Sequence, residues 1–150
     1  MPQSFAKLHI HLVFSTKHRE RLLHDGVRDA LHSYMAVVLR NFGCQCVLIN
    51  SVDDHVHLLF ELGRTVAVSN AVEEVKTTSS KWIKTQGSEF SAFRWQAGYG
   101  AFAVSASDVP SVIEYIANQR EHHKSRLFTD EYRAFLEQNG ISFDEQYMWD

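Results

Sequence analysis

Little in this chain breaks or bridges the backbone: two prolines, seven glycines and two cysteines in 150 residues. No repeat, low-complexity stretch or linker is visible, so one domain over residues 1–150 is expected. The cysteines, Cys44 and Cys46, lie two positions apart, on one face if that segment is a strand. That spacing suits neither a disulfide nor a CxxC zinc knuckle, and buried small hydrophobes are the expectation. No apolar run approaches the roughly 20 residues of a membrane helix. No charged-then-apolar leader opens the chain, so no membrane role and a cytoplasmic location are expected.

An excess of positive charge is also missing. Net charge is −3, which excludes an indiscriminate polyanion binder. The acidity is mostly C-terminal: residues 1–128 hold 14 Lys and Arg against 12 Asp and Glu, whereas residues 129–150 hold one against six. Any nucleic-acid contact must therefore use local basic clusters.

What is present is periodic. Leu8, Ile10, Leu12 and Phe14 alternate with His9, His11, Val13 and Ser15, predicting a strand with one apolar face. Helical spacing of Val27, Leu31, Tyr34, Met35, Val38 and Phe42 predicts a helix over 25–42, stopped by Gly43. Strands are expected over 44–51 and 55–62, a helix over 66–86 and a fourth strand over 101–105. Ser107-Asp108 is expected to cap a helix running to about His123, and a short helix should follow over 130–138. Strand, helix, strand, strand, helix, strand is the order of an α+β, ferredoxin-like split βαβ sheet, here with additional C-terminal helices.

Within the third strand, His55, His57, Leu59 and Glu61 share one face, opposite the apolar Val56, Leu58, Phe60 and Leu62. If the apolar face lies on the two helices, both imidazoles sit on the opposite, open face and can converge on a divalent cation. His9 and His11 repeat the pattern in the neighbouring first strand, and spacing does not separate the pairs. On spacing alone, partly exposed histidines on a solvated face are the commoner outcome. Tyr115 and Gln119 are one helical turn apart, a phenol that could act as nucleophile and an amide oxygen that could ligate a metal. A tyrosine packed at a helix–sheet junction is the structural alternative. His122 and His123 offer another possible ligand close after Gln119, with a solvated helix end the commoner outcome.

Lys76, Thr77, Ser80, Lys81 and Lys84 form a basic stripe on the second helix. With Lys17, Arg19 and Arg21, and with Arg120, Lys124 and Arg126, they are candidate phosphate contacts, although for each cluster alone a solvated face is the stronger expectation. Phe93, Trp95, Tyr99 and Phe102 could stack on unpaired bases, with core packing the stronger expectation.

Four ordered segments together resemble the single-tyrosine HUH transposases of bacterial insertion sequences, which move single-stranded DNA and recognise subterminal hairpins. These are His11-Leu12-Val13-Phe14-Ser15-Thr16-Lys17, Asp54-His55-Val56-His57-Leu58-Leu59, Trp95-Gln96-Ala97-Gly98-Tyr99-Gly100-Ala101-Phe102 and Tyr115-Ile116-Ala117-Asn118-Gln119-Arg120-Glu121-His122-His123. The resemblance implies His55, His57 and Gln119 as ligands of Mg²⁺ or Mn²⁺ and Tyr115 as the nucleophile. It implies a homodimer, and it admits composite sites in which one subunit's tyrosine helix serves the other's histidine pair. The activity implied is cleavage and rejoining of single-stranded DNA through a 5′-phosphotyrosine. A hairpin-binding relative without cleavage, and a metal-dependent phosphodiesterase using water, are the alternatives.

Overall fold

The computed structural model describes residues 3–124 and 126–150. Four strands, β1 (His9–Ser15), β2 (Gln45–Ser51), β3 (His55–Glu61) and β4 (Gly100–Val104), form one antiparallel sheet in the order β2-β3-β1-β4. Helix α1 (Asp25–Asn41) joins β1 to β2, and α2 (Val68–Ile83) joins β3 to β4. This is the expected α+β, ferredoxin-like order. Gly43, at φ 88°, turns the chain out of α1 into β2. Gly63 lies so close to the Gly43 carbonyl that a Cβ there would collide with backbone.

Strand parity distributes the side chains as the alternation predicts. Leu12, Phe14, Val56, Leu58 and Phe60 point into one core with Leu31 and Met35 of α1 and Val72, Val75 and Ile83 of α2. The opposite face carries the histidines, and here the expectation of an open face fails. Helices α3 (Val109–Ala117), α4 (Gln119–His122) and α5 (Phe128–Gln138) follow β4. A second core of Val13, Phe102, Phe128, Tyr132 and Leu136, flanked by Phe135, Phe143, Met148 and Trp149, seats α5 over that face. The sheet is therefore covered on both sides, and every residue of β1 is buried.

The helix expected to run from Asp108 to His123 is broken at Asn118 (φ −98°, ψ 22°). Asp108 does not cap it through its side chain; its carboxylate instead accepts from the Ser105 hydroxyl at 2.9 Å. Pro110 sits in the first turn, where its missing N–H costs nothing. Cys44 and Cys46 are free, and burial pushes the Cys46 thiol up to about 11.

Candidate active site

Register builds the site. Cross-strand pairing of Ser15 with His55, Val13 with His57 and His11 with Leu59 brings the histidines of β1 and β3 onto one patch. His55 and His57 are both fully buried, and His11 nearly so. The outer nitrogen of each β3 imidazole is held: His55 Nδ1 lies 2.7 Å from Asp54 Oδ1, and His57 Nδ1 lies 2.8 Å from His11 Nε2. Both Nε2 atoms consequently face inward. They meet one carboxylate oxygen, Glu131 Oε1 of α5, at 3.3 Å from His55 and 3.0 Å from His57.

The other carboxylate oxygen, Glu131 Oε2, accepts the hydroxyl of Tyr115 and lies 3.2 Å from His123 Nε2. Tyr115 is thus brought beside the histidine pair, its ring 6.0 Å from that of His57 and stacked on His122 at 4.5 Å. Asn50 fixes this approach. It is the cross-strand partner of His57, and its Nδ2 donates to the carbonyls of Ile116 at 2.8 Å and Ala117 at 3.4 Å, the last turn of α3. Gln119 is fully buried; its Nε2 donates to the Tyr115 carbonyl at 3.4 Å.

Charge in this pocket is set by burial against one carboxylate. Burial alone would raise the Glu131 carboxyl, but the adjoining imidazoles of His123, His55 and His57 outweigh it and hold the group below the usual carboxylate range. Burial would lower His55, yet Asp54 and Glu131 together raise it. For His57 burial prevails and the imidazole is lowered. Burial brings His11 down to about 3, helped by His57. Tyr115 is raised, first by burial and then by the Glu131 charge, which keeps its phenol protonated at neutral pH.

A metal fits these residues. Ligand atoms of His55, His57, His123 and Glu131 all lie within 4.8 Å of one another. His55 Nε2, His123 Nε2 and Gln119 Oε1 are buried without a hydrogen-bond partner, an expensive arrangement unless a cation takes them up. Imidazole nitrogens with carboxylate and amide oxygens form a donor set that can hold a divalent cation.

The sequence-predicted residues therefore divide. Tyr115, His55 and His57 converge on Glu131 within one chain, and Gln119 is buried one turn beyond Tyr115. Glu131, Asp54 and Asn50 were not singled out as site residues, and His123, a possible ligand by its place after Gln119, was expected rather to be a solvated end. Glu131 carried one signal: it stands inside the apolar stripe Phe128, Tyr132, Phe135, Leu136, where a charge is out of place.

The basic residues fall on two surfaces. Arg21, Arg120, Lys124 and Arg126 line a cleft of about 290 Å³ whose floor includes Asp54 and His123, both in contact with the site. Arg19 is exposed nearby, its guanidinium 5.4 Å from the Trp149 ring, and Lys17 is half-buried. Lys81 and Lys84 are exposed in a separate groove of about 530 Å³ with Arg94 and Tyr99. Lys76 in that groove is committed to structure: its Nζ donates to the carbonyls of Gln96, Ala97 and Gly98 at 2.6, 3.1 and 2.9 Å. Burial brings its ammonium down to about 8. Phe93, Trp95 and Phe102 are core residues, and Tyr99 alone of the four aromatics is exposed.

No helix among the described residues is long and apolar enough to cross a membrane. Residues 4–119 match the family described as Transposase IS200 like. The ISDra2 transposase TnpA of Deinococcus radiodurans is 22% identical over 120 residues, covering 77% of this chain and 86% of that protein. Two solved structures share the fold. One, a candidate transposase from D. radiodurans R1, has a TM-score of 0.62 at 24% identity and covers 79% of this chain and 98% of its own. The other is the REP-associated tyrosine transposase bound to a REP hairpin, with a TM-score of 0.60 at 15% identity and coverage of 82% and 73%. With more than two thirds of its length matched, this chain belongs to the IS200-like family of DNA transposases.

Proposed function

We propose that this protein cleaves and rejoins single-stranded DNA, with Tyr115 as the nucleophile and His55, His57 and Gln119 as ligands of Mg²⁺ or Mn²⁺. The observation that carries the reading is the convergence of the Tyr115 hydroxyl with both inward-facing imidazoles on the single carboxylate of Glu131. When bound, the cation supplies charge stabilisation at a nonbridging phosphate oxygen. The chain's own residues do the rest. Asn50 sets the end of α3 against β3, so that the Tyr115 oxygen is presented beside the ligands. That oxygen attacks phosphorus, the bond to the 3′-oxygen breaks, and the 3′-oxygen takes up a proton. The phenol's proton is given up in the same exchange, and a 5′-phosphotyrosine remains. Attack by another 3′-hydroxyl reverses the step and joins new ends, and one ester replaces another without a nucleotide cofactor.

The partner is single-stranded DNA with subterminal hairpins, a reading supported by the hairpin bound to the REP-associated relative. Arg120 in the cleft beside His123, Lys17 and Arg19 beyond it, and Lys81 and Lys84 in the second groove are the proposed phosphate contacts. Lys76, as the lysine that holds the 96–98 loop, serves that groove indirectly. The protein acts as a cytoplasmic homodimer with each tyrosine serving its own histidine pair, since Tyr115 meets Glu131 beside His57 without a second chain.

Incubation with labelled hairpin-bearing oligonucleotides and Mn²⁺, followed by denaturing electrophoresis, tests this. The parent protein should give a covalent adduct, and Tyr115→Phe should give none while still shifting the hairpin in a native gel. Adduct formation by Tyr115→Phe refutes the tyrosine assignment. Free phosphate-ended product without adduct identifies a water-using phosphodiesterase, and hairpin binding without any cleavage identifies a binding protein.

A further inference from the structure

Glu131 is given no ligand role in that reading and lies beyond the residues matched to the family, yet both imidazoles and the Tyr115 hydroxyl converge on it. We propose that Glu131 is itself a metal ligand, so that helix α5 closes the metal centre and the bound cation fastens α5 to the sheet. This rests on the metal site proposed above.

Three observations lead there. First, the carboxylate is divided. Oε1 faces His55 Nε2 and His57 Nε2, the two atoms a cation would share, whereas Oε2 takes the Tyr115 hydroxyl and lies beside His123. One oxygen can ligate while the other keeps the phenol in place. Second, His55 Nε2 is within ion-pairing distance of Oε1 yet misaligned for a hydrogen bond, and it counts among the buried atoms without a partner. Proton sharing alone does not satisfy this cluster. Third, the charge balance requires an anion. His55, His57 and Gln119 are neutral donors, and all three are fully buried. A doubly charged ion held by them alone would sit in a low-dielectric pocket uncompensated. Glu131, 1% exposed, is the carboxylate in that pocket, and with one phosphodiester it brings the charge to zero. Asp54 touches only the outer nitrogen of His55, the position of a group that orients a ligand.

The consequence reaches the whole C-terminal segment. Phe128 and Tyr132, which flank Glu131, already dock α5 through the second core. A Glu131–metal bond would add a tie at the centre of that contact.

Mn²⁺ titration calorimetry on the full chain, comparing the parent, Glu131→Gln and His55→Ala, tests the proposal, with circular dichroism as the check on folding. Glu131→Gln should weaken Mn²⁺ binding at least tenfold, and His55→Ala should do the same. Parent-like binding by Glu131→Gln together with lost binding in His55→Ala overturns the role of Glu131 and leaves the histidine site standing. Parent-like binding in both variants, or no binding by the parent, overturns the site and the inference together. Should Glu131→Gln fail to fold, hydrogen exchange on the unmodified protein decides. Mn²⁺ should slow exchange across residues 128–138, and an unchanged rate there overturns the proposal.

Discussion

Truncating Phe128 to alanine should release helix α5 from the histidine face while the sheet stays folded. Phe128 is 3% exposed; its ring lies 4.4 Å from that of His55 and 5.4 Å from that of Tyr132, so it plugs the junction between α5 and β3. Removing a buried phenylalanine costs about 3–5 kcal/mol. The lower end applies here, because Phe128 opens its helix after an exposed Leu127 and the site can collapse partway. The first core, between the sheet and helices α1 and α2, does not include Phe128, so the loss falls on docking of α5. A cost of about 3 kcal/mol is roughly a hundredfold in an opening equilibrium. Native-state hydrogen exchange followed by mass spectrometry reads it. Amides of 128–138 should exchange about a hundredfold faster in Phe128→Ala, with much smaller changes in β1 and β3. Equal acceleration in helix and sheet would show that α5 opens only with the whole protein, and the argument that it is a separable cover would fail.

Two further expectations concern acid stability and DNA affinity. His32 donates to or accepts from Ser51 Oγ at 2.7 Å, and burial lowers its imidazole from 6.5 to about 4. As pH falls below 6.5 the unfolded chain takes up this proton first, so its contribution to stability is whole above 6.5 and is lost progressively down to about 4. The loss is at most about 1.4 kcal/mol per pH unit. His32→Gln should flatten urea-derived stability against pH across that window; an unchanged slope would clear His32 of the effect. Arg120 and Lys124 are exposed and, among the described residues, pair at the surface with Asp25 and Glu121, so replacing both by alanine should change stability by less than about 1 kcal/mol. If they line the path of the strand, the slope of log affinity against log salt for a hairpin oligonucleotide should fall by about 0.7 per lost phosphate contact. An unchanged slope would place the strand elsewhere.

The sheet was legible because alternation has one period and one consequence: His55 and His57 fall opposite Val56, Leu58 and Phe60 whatever else the chain does. Pairing of β1 with β3, and hence the meeting of His11 with His57, followed from element order. The cover was not legible. A stripe of Phe128, Tyr132, Phe135 and Leu136 shows that a helix buries one side, yet it does not show which surface receives it, and the histidine face was therefore expected to be open. Glu131 was lost in the acidic C-terminal composition for the same reason. A carboxylate at the end of a chain counts as solvated charge until the helix carrying it is placed. Lys76 erred in the opposite direction: as one of several lysines on a polar stripe it resembles a phosphate contact, but three loop carbonyls in reach occupy all its donors. The break at Asn118 lies in a sequence without glycine or proline nearby, and it is set by a tertiary contact, the Asn50 amide on the carbonyls of Ile116 and Ala117.

That contact also bears on how the site is assembled. A tyrosine helix exchanged between subunits needs a free connection between the end of β4 and the tyrosine, and a nucleophile whose placement comes from the neighbouring chain. Here the placement comes from inside. Asn50 pairs with His57 across β2 and β3 and holds the last carbonyls of α3, two residues beyond Tyr115. The position of Tyr115 is thus coupled to strand register, the most rigidly specified feature of the sheet. Beyond the break, Gln119 turns back to donate to the Tyr115 carbonyl, and Glu131 returns from α5 to take the phenol itself. The Asn50 and Glu131 anchors lie within the chain that carries the histidines, so giving up the helix to a partner would forfeit its contacts with both. A single chain in this conformation holds Tyr115 and both imidazoles around Glu131, the arrangement that a nucleophile serving its own histidine pair would need.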